Sequence, residues 1–264
     1  MTLKRCGFDA KGARIAELGP GDSIGTGLAA LLSGAYYYVG LDVVAFLPRN
    51  VEAIFESLVN LYRARAPIPD DTEFPRVEPK LESYEFPDYA IELPGFEDRV
   101  NQIRKEIKQG LQNGRMVRYH APWTTVDGIA PRSLDLVFSQ AVLEYVPVDE
   151  AYTAMSVWLR KGQYASHVID LSAYYLSPFS NGHLAYSNWE WRLACGRREA
   201  VLNREPLSTH LGCASKYGCD IVALHKNSTM SGLKPEQLSV RYRTLSAEDL
   251  QTRRATLVLR KTTT

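Results

Sequence analysis

The run Glu17-Leu18-Gly19-Pro20-Gly21-Asp22-Ser23-Ile24-Gly25 is the part of this sequence best suited to holding a small molecule. Its glycines permit positive φ and let the backbone approach a ligand closely. An apolar run, Tyr37 to Leu41, follows and closes on Asp42. A carboxylate at the end of a second strand, roughly 20 residues after such a turn, can accept hydrogen bonds from both hydroxyls of a ribose. By spacing alone the run reads as a nucleotide-binding turn or as a plain tight turn.

A second set of candidates lies further on. His167 in QYASHVIDL stands three residues before Asp170. Histidine titrates near neutral pH and is the usual general base where a hydroxyl must lose a proton. Asp170 would orient it. The alternatives are a core histidine and a helix cap, and two residues are too few to make a divalent metal site. Tyr186 to Arg192 (YSNWEWR) offers Trp189 as an apolar wall with polar anchors, an arrangement that suits sugars and other polar ring compounds. The same residues also read as a helix start capped by Ser187 or Asn188. Arg204 precedes another helix and could meet an acidic substrate group or belong to that helix's N-cap region. Tyr186, Trp189, Arg192 and Arg204 are thus the candidate substrate contacts. Tyr36-Tyr37-Tyr38 reads as strand and edge packing.

The elements that must position these residues follow from periodicity. Arg14–Leu18 reads as a strand, Gly25–Ser33 as a helix and Tyr37–Asp42 as a second buried strand, the size of one βαβ unit. Pro48–Arg65 is helical, with Val51, Ile54, Phe55, Leu58, Leu61 and Tyr62 on one face. Residues 67–95 are proline-rich, which excludes a regular helix or central strand. Loops of that length inside a domain tend to be functional. A helix over Glu97–Gln112 follows, then strands at Arg115–Tyr119 and Ser133–Ser139. A helix over Asp149–Arg160 stops before Lys161-Gly162, and a strand runs from Gln163 to Leu171. A helix over Pro206–Tyr217 leads to last strands at Asp220–His225 and Thr256–Arg260. Alternation closed by two strands without a crossover helix predicts a mostly parallel sheet with an antiparallel edge. One domain over residues 1–264 is expected, with 48–114 inserted as a lid or substrate cover.

Bulk properties narrow the function classes. The 264 residues carry 31 basic and 30 acidic side chains, a net charge of +1. Nucleic-acid binders show a basic excess or stripe, and none is visible, so no nucleic-acid partner is expected. No run approaches the ~18 apolar residues of a membrane span, and MTLKRCGFDAKG lacks the apolar core of a signal peptide. Cys6, Cys195, Cys213 and Cys219 show no CxxC spacing. Free thiols fit a reducing compartment, so cytoplasmic residence is expected.

ELGPGDSIG followed by YVGLD resembles the first and second motifs of class I S-adenosylmethionine-dependent methyltransferases. SLDLVFSQAVLEYV resembles their fourth motif in the form common to the type 11 and 12 methyltransferases, and YGCDIVAL and ATLVLRK resemble the last two strands of that fold. The resemblance implies an α/β, Rossmann-like fold: a seven-stranded mostly parallel sheet with an antiparallel last strand and helices on both faces. It implies S-adenosyl-L-methionine as cofactor, with Glu17, Gly19, Pro20 and Gly21 at the methionine end and Asp42 on the ribose. Leu41 and Val43 would touch the adenine. Trp123 would stack on it or pack as a surface aromatic. Ser139, Gln140 and Ala141 would lie where the reactive methyl points. Two departures stand out: His120-Ala121-Pro122 lacks the third motif's Asp, and Tyr145 stands where close relatives often carry His.

The implied activity is methyl transfer to oxygen or nitrogen of a small-molecule acceptor, such as a sugar or glycoconjugate precursor. RNA or protein methylation is a second reading, and a catalytically degenerate binding or scaffold subunit a third. The missing basic patch and the lack of an (Asn/Asp)-Pro-Pro-(Tyr/Phe) run disfavour base methylation. Only about a dozen residues precede the first strand, where the resemblance implies a covering helix. The expectation is an open cofactor site, or closure by a second subunit in a homo-oligomer.

Overall fold

The computed structural model describes residues 7–45, 50–70, 72–73, 80–92, 94–123, 128–198 and 201–263. In chain order the elements are β1 (Arg14–Leu18), α1 (Gly25–Leu32), β2 (Tyr37–Leu41), α2 (Val51–Arg63) and the single turn α3 (Tyr89–Glu92). Then come α4 (Phe96–Gln109), β3 (Val117–His120), β4 (Leu134–Gln140), α5 (Val148–Trp158) and β5 (Leu159–Asp170). The last are α6 (Asn188–Cys195), α7 (Leu207–Lys216), β6 (Cys219–Ser228), α8 (Ala247–Gln251) and β7 (Thr252–Lys261). The strands form one sheet in the order β3-β2-β1-β4-β5-β7-β6. β1 pairs in parallel with β2 and β4, and β2 with β3, whereas β6 and β7 are antiparallel. This is the expected seven-stranded α/β sheet.

Contacts divide the chain into two units, residues 1–139 with 157–166 and residues 140–156 with 167–264. In the first, the strands read as continuous apolar runs because both faces are covered: β2 is buried at every position. Leu28, Leu31 and Leu32 of α1 join Ile15, Tyr38, Leu136 and Phe138 in its core. Val51, Phe55 and Val59 of α2 and Phe96, Val100 and Ile103 of α4 belong to the same cluster. The two long helices of the 48–114 segment, α2 and α4, are therefore core elements of unit 1. Residues 71, 74–79 and 93 of the proline-rich stretch between them lie outside the described residues, as do residues 46–49 and Cys6. In the second unit Leu184, Leu238, Tyr242 and Leu250 form a smaller cluster.

Several boundaries differ from expectation. β5 begins at Leu159 rather than Gln163, and α5 ends at Trp158. Arg160 and Gly162, which read as the end of a helix, lie inside the strand. The cause is long-range: Arg160 Nη1 donates to Asp135 Oδ1 of β4 at 2.6 Å, and Ser133 N donates to the Trp158 carbonyl at 2.9 Å. β7 likewise starts at Thr252, four residues before the expected Thr256, because its partner β6 runs to Ser228.

Candidate active site

In unit 1 the registers bring Leu18, Leu41, His120 and Ser139 level at the C-terminal ends of β1, β2, β3 and β4. In open α/β sheets that edge is where ligands bind. The chain leaves β1 through Gly19 (φ 64°) and Gly21 (φ 66°), conformations that favour glycine. Gly19 N donates to the Leu41 carbonyl at 2.7 Å, and Gly21 N to Asp42 Oδ2 at 2.9 Å. A Cβ built on Gly21 meets nothing within 4 Å, so the loop backbone faces open space. Pro20 packs over Gly40, where a Cβ would lie 3.1 Å from its Cγ.

Asp42 is buried and held from three sides. Its backbone N donates to the His120 carbonyl at 2.9 Å and its carbonyl accepts from Trp123 N at 2.8 Å. Tyr119 Oη donates to Oδ2 at 3.4 Å. Burial raises its carboxyl above the ordinary value, against the Gly21 amide. Glu17 is buried too, and Tyr38 Oη donates to its Oε2 at 2.7 Å. Burial pushes Glu17 up to about 7; the Tyr38 hydrogen bond opposes this and the Asp42 charge adds to it. Glu17, Gly19, Pro20, Gly21, Asp42, Val43, Trp123 and Ser139 all fall in unit 1, and Gln140 opens unit 2. Val43 is exposed and Ser139 buried. The half-buried Trp123 lies with its ring centroid 5.8 Å from that of Trp158, which gives it a packing partner.

Unit 2 does not bring His167 and Asp170 together. Side chains alternate faces along a strand, so positions three apart on β5 point to opposite sides of the sheet. Asp170 Oδ1 accepts from Ser172 N and Oγ at 3.0 and 2.6 Å, and Oδ2 from Arg254 at 3.4 Å. His167 has no exposed surface and lies 6.4 Å, ring to ring, from Tyr152. Burial, with His210 nearby, pulls it down to about 3. An imidazole held so low is a weak proton acceptor at neutral pH.

One buried acid of this unit was not among the site candidates. Glu144 is buried, and Tyr174 Oη donates to its Oε1 at 2.8 Å. Burial lifts it to about 7, against its hydrogen bonds and with the Asp170 charge. Tyr174 has φ 48°, an uncommon conformation for a tyrosine, and stacks on Tyr145 with centroids 6.5 Å apart. Glu144 sits inside the FSQAVLEYV run, but its partner lies 30 residues away on a segment with no regular pattern.

Of the substrate candidates, Trp189 is 69% exposed and Tyr186 42%. Ser187 caps α6 reciprocally with Glu190, so the helix-start reading of this stretch holds. Arg204 is buried beneath the rings of Trp191 and Tyr242. Its guanidinium donates to the Tyr186 carbonyl at 2.6 Å and to Asn188 Oδ1 at 2.7 Å. Among the described residues, no three His, Cys, Asp or Glu side chains are grouped to hold a metal ion, and no helix is long and apolar enough to cross a membrane.

No protein-family model matches the sequence, and no curated protein does. Solved structures do match. The chain is similar to geranyl diphosphate C-methyltransferase from Streptomyces coelicolor A3(2), solved with Mg2+, geranyl diphosphate and S-adenosyl-L-homocysteine. Identity is 10% and the TM-score 0.51, over 98% of this chain and 76% of that one. It is also similar to an S-adenosylmethionine-dependent methyltransferase from Mesorhizobium loti, with 13% identity and a TM-score of 0.48 over 96% and 93% of the two chains. A third, from Methanosarcina mazei, has 11% identity and a TM-score of 0.49 over 96% and 94%. The first of these likenesses, with the seven-stranded sheet, shows the fold: the chain has the class I S-adenosylmethionine-dependent methyltransferase fold.

Proposed function

We propose that this chain binds S-adenosyl-L-methionine in unit 1 and transfers its methyl group to oxygen or nitrogen of a small molecule. The observation that carries the reading is the joint at the strand ends, where the Gly21 amide and the Tyr119 hydroxyl both bond the buried Asp42 carboxylate. Two buried acids beside a glycine loop with open space over Gly21 suit a ligand with a ribose diol and an ammonium group. Asp42 would hold the ribose, Glu17 the ammonium, and the Gly19–Gly21 backbone would approach the methionine end. Val43 and Trp123 would offer apolar contact to the base. The sulfonium supplies both the methyl group and its own leaving group, so what the protein adds is positioning and exclusion of water.

A polar ring compound, such as a sugar or glycoconjugate precursor, is the acceptor class we favour. The exposed Trp189 and Tyr186 rings support it, with Arg192 on the same helix as Trp189. The test is calorimetric titration with S-adenosyl-L-methionine, with NAD as control, followed by methyl transfer from labelled cofactor to a panel of sugars and amines. Micromolar binding of S-adenosyl-L-methionine without binding of NAD is expected. Absence of cofactor binding overturns the reading. Binding without transfer to any acceptor would favour a scaffold subunit.

A further inference from the structure

Tyr38 does something that strand propensity does not require. It is fully buried in β2 with its hydroxyl on Glu17 Oε2 at 2.7 Å. Two glycines clear the slot it fills. A Cβ on Gly27 of α1 would fall 2.1 Å from the ring, and one on Gly40 would fall 3.0 Å from the phenol oxygen. Burying a hydroxyl is costly unless it is hydrogen-bonded, and burying a carboxylate is costlier still. A valine at this position would fill a strand without the cost of the buried hydroxyl. The chain instead buries both groups against each other and keeps side chains off α1 and β2 to admit the ring.

We propose that Tyr38 is a positioning residue for the cofactor: its hydroxyl fixes Glu17 through Oε2 and leaves Oε1 to the ammonium group of the methionine end. The proposal rests on the cofactor reading above. The titratable groups facing Glu17 are Tyr38 on β2, Asp42 after β2 and, through its bond to Asp42, Tyr119 on β3. Glu17 stands at about 7, and the Tyr38 hydrogen bond is the contribution that lowers it. The carboxylate form attracts an ammonium group, so affinity should rise with pH through about 7 and level off as a free α-amino group deprotonates near ~8.

The experiment is calorimetric titration with S-adenosyl-L-homocysteine, which requires no turnover, at several pH values between 6 and 8. It compares wild type, Tyr38→Phe and Glu17→Gln. Wild-type affinity should rise several-fold over this range. Tyr38→Phe keeps the ring in its slot and should bind several-fold more weakly at pH 7, since Glu17 without that bond is charged in a smaller fraction of molecules. Its midpoint should also move to higher pH. Glu17→Gln should bind weakly, without the rise. Wild-type affinity and midpoint in Tyr38→Phe would make Tyr38 a core filler and overturn the proposal. A rise that persists in Glu17→Gln would overturn it whether or not Tyr38→Phe folds. A wild-type chain that binds nothing at any pH would instead sink the cofactor reading itself.

Discussion

Asp42 joins three segments: the glycine loop through Gly21 N, β3 through His120 and Tyr119, and the following turn through Trp123 N. Asp42→Ala removes the acceptor for a ribose diol and should weaken cofactor binding by ~1–3 kcal/mol. Calorimetry checks this, and unchanged affinity would mean that the ribose lies elsewhere. Asp42 was singled out in the sequence by position alone, as an acid closing the second strand. Arg204 could not be read in this way. It was a candidate substrate contact, but its guanidinium donates to Tyr186 and Asn188 beneath two aromatic rings. Arg204→Ala should therefore act on stability, costing ~2–4 kcal/mol through buried acceptors left unpaired and lost ring contacts. Urea denaturation reads this directly, and cofactor affinity should stay within about two-fold, well under the ~1.4 kcal/mol that a ten-fold change represents. A stable variant with lost affinity for an acceptor would return Arg204 to the substrate.

At the scale of elements, α1 packs on β2 with Gly27 against the Tyr38 ring, where a Cβ would fall 2.1 Å from it. Gly27→Ala should force the helix off the sheet and destabilise by ~1–3 kcal/mol or more, the usual cost of overpacking. Shrinking the ring with Tyr38→Val in the same chain should recover part of the loss, a coupling that a double-mutant cycle measures. Additive losses would mean that the two positions do not share the space. β1, α1 and β2 were legible because apolar runs, a glycine turn and helical periodicity all agree over a short stretch. β5 was misjudged at its start because Arg160, Lys161 and Gly162 look locally like a helix end. What makes them strand is Asp135, 25 residues earlier. The Tyr38–Glu17 and Glu144–Tyr174 pairs were hidden for the same reason, since parallel register and loop path decide them. Tyr36-Tyr37-Tyr38 could be read as packing, which describes Tyr38's ring and misses its hydroxyl.

Across the whole molecule, buried ionisable groups make the stability of the two units depend on pH differently. In unit 2, burial holds His167 at about 3 and His183 and His210 at about 4. A histidine lowered in the native state is neutral there and takes up a proton on unfolding below ~6.5. Its contribution is present above that value and fades as pH falls toward the folded value. Glu144 works the other way: raised to about 7, it is protonated in the native state between the ordinary carboxyl value and 7, so its contribution is lost as pH rises. Between about pH 6 and 5, three histidines less one glutamate leave the unfolded form of unit 2 with about two extra protons, or ~3 kcal/mol lost per pH unit. In unit 1, Glu17 and Asp42 are raised and His120 is lowered, so their effects oppose. Exposed pairs such as Arg63–Glu97 add little to this. Acidification from pH 7 to 5 should therefore open unit 2 while unit 1 holds. Hydrogen exchange, corrected for the intrinsic pH dependence of amide exchange, should show protection lost first in α7, β6 and β7, with β1, β2 and β4 retained. His210→Gln should flatten the loss by about one proton's worth, ~1.4 kcal/mol per pH unit. Equal loss of protection in both units, or an unchanged slope in that variant, would show that the buried histidines are not what makes the fold sensitive to acid.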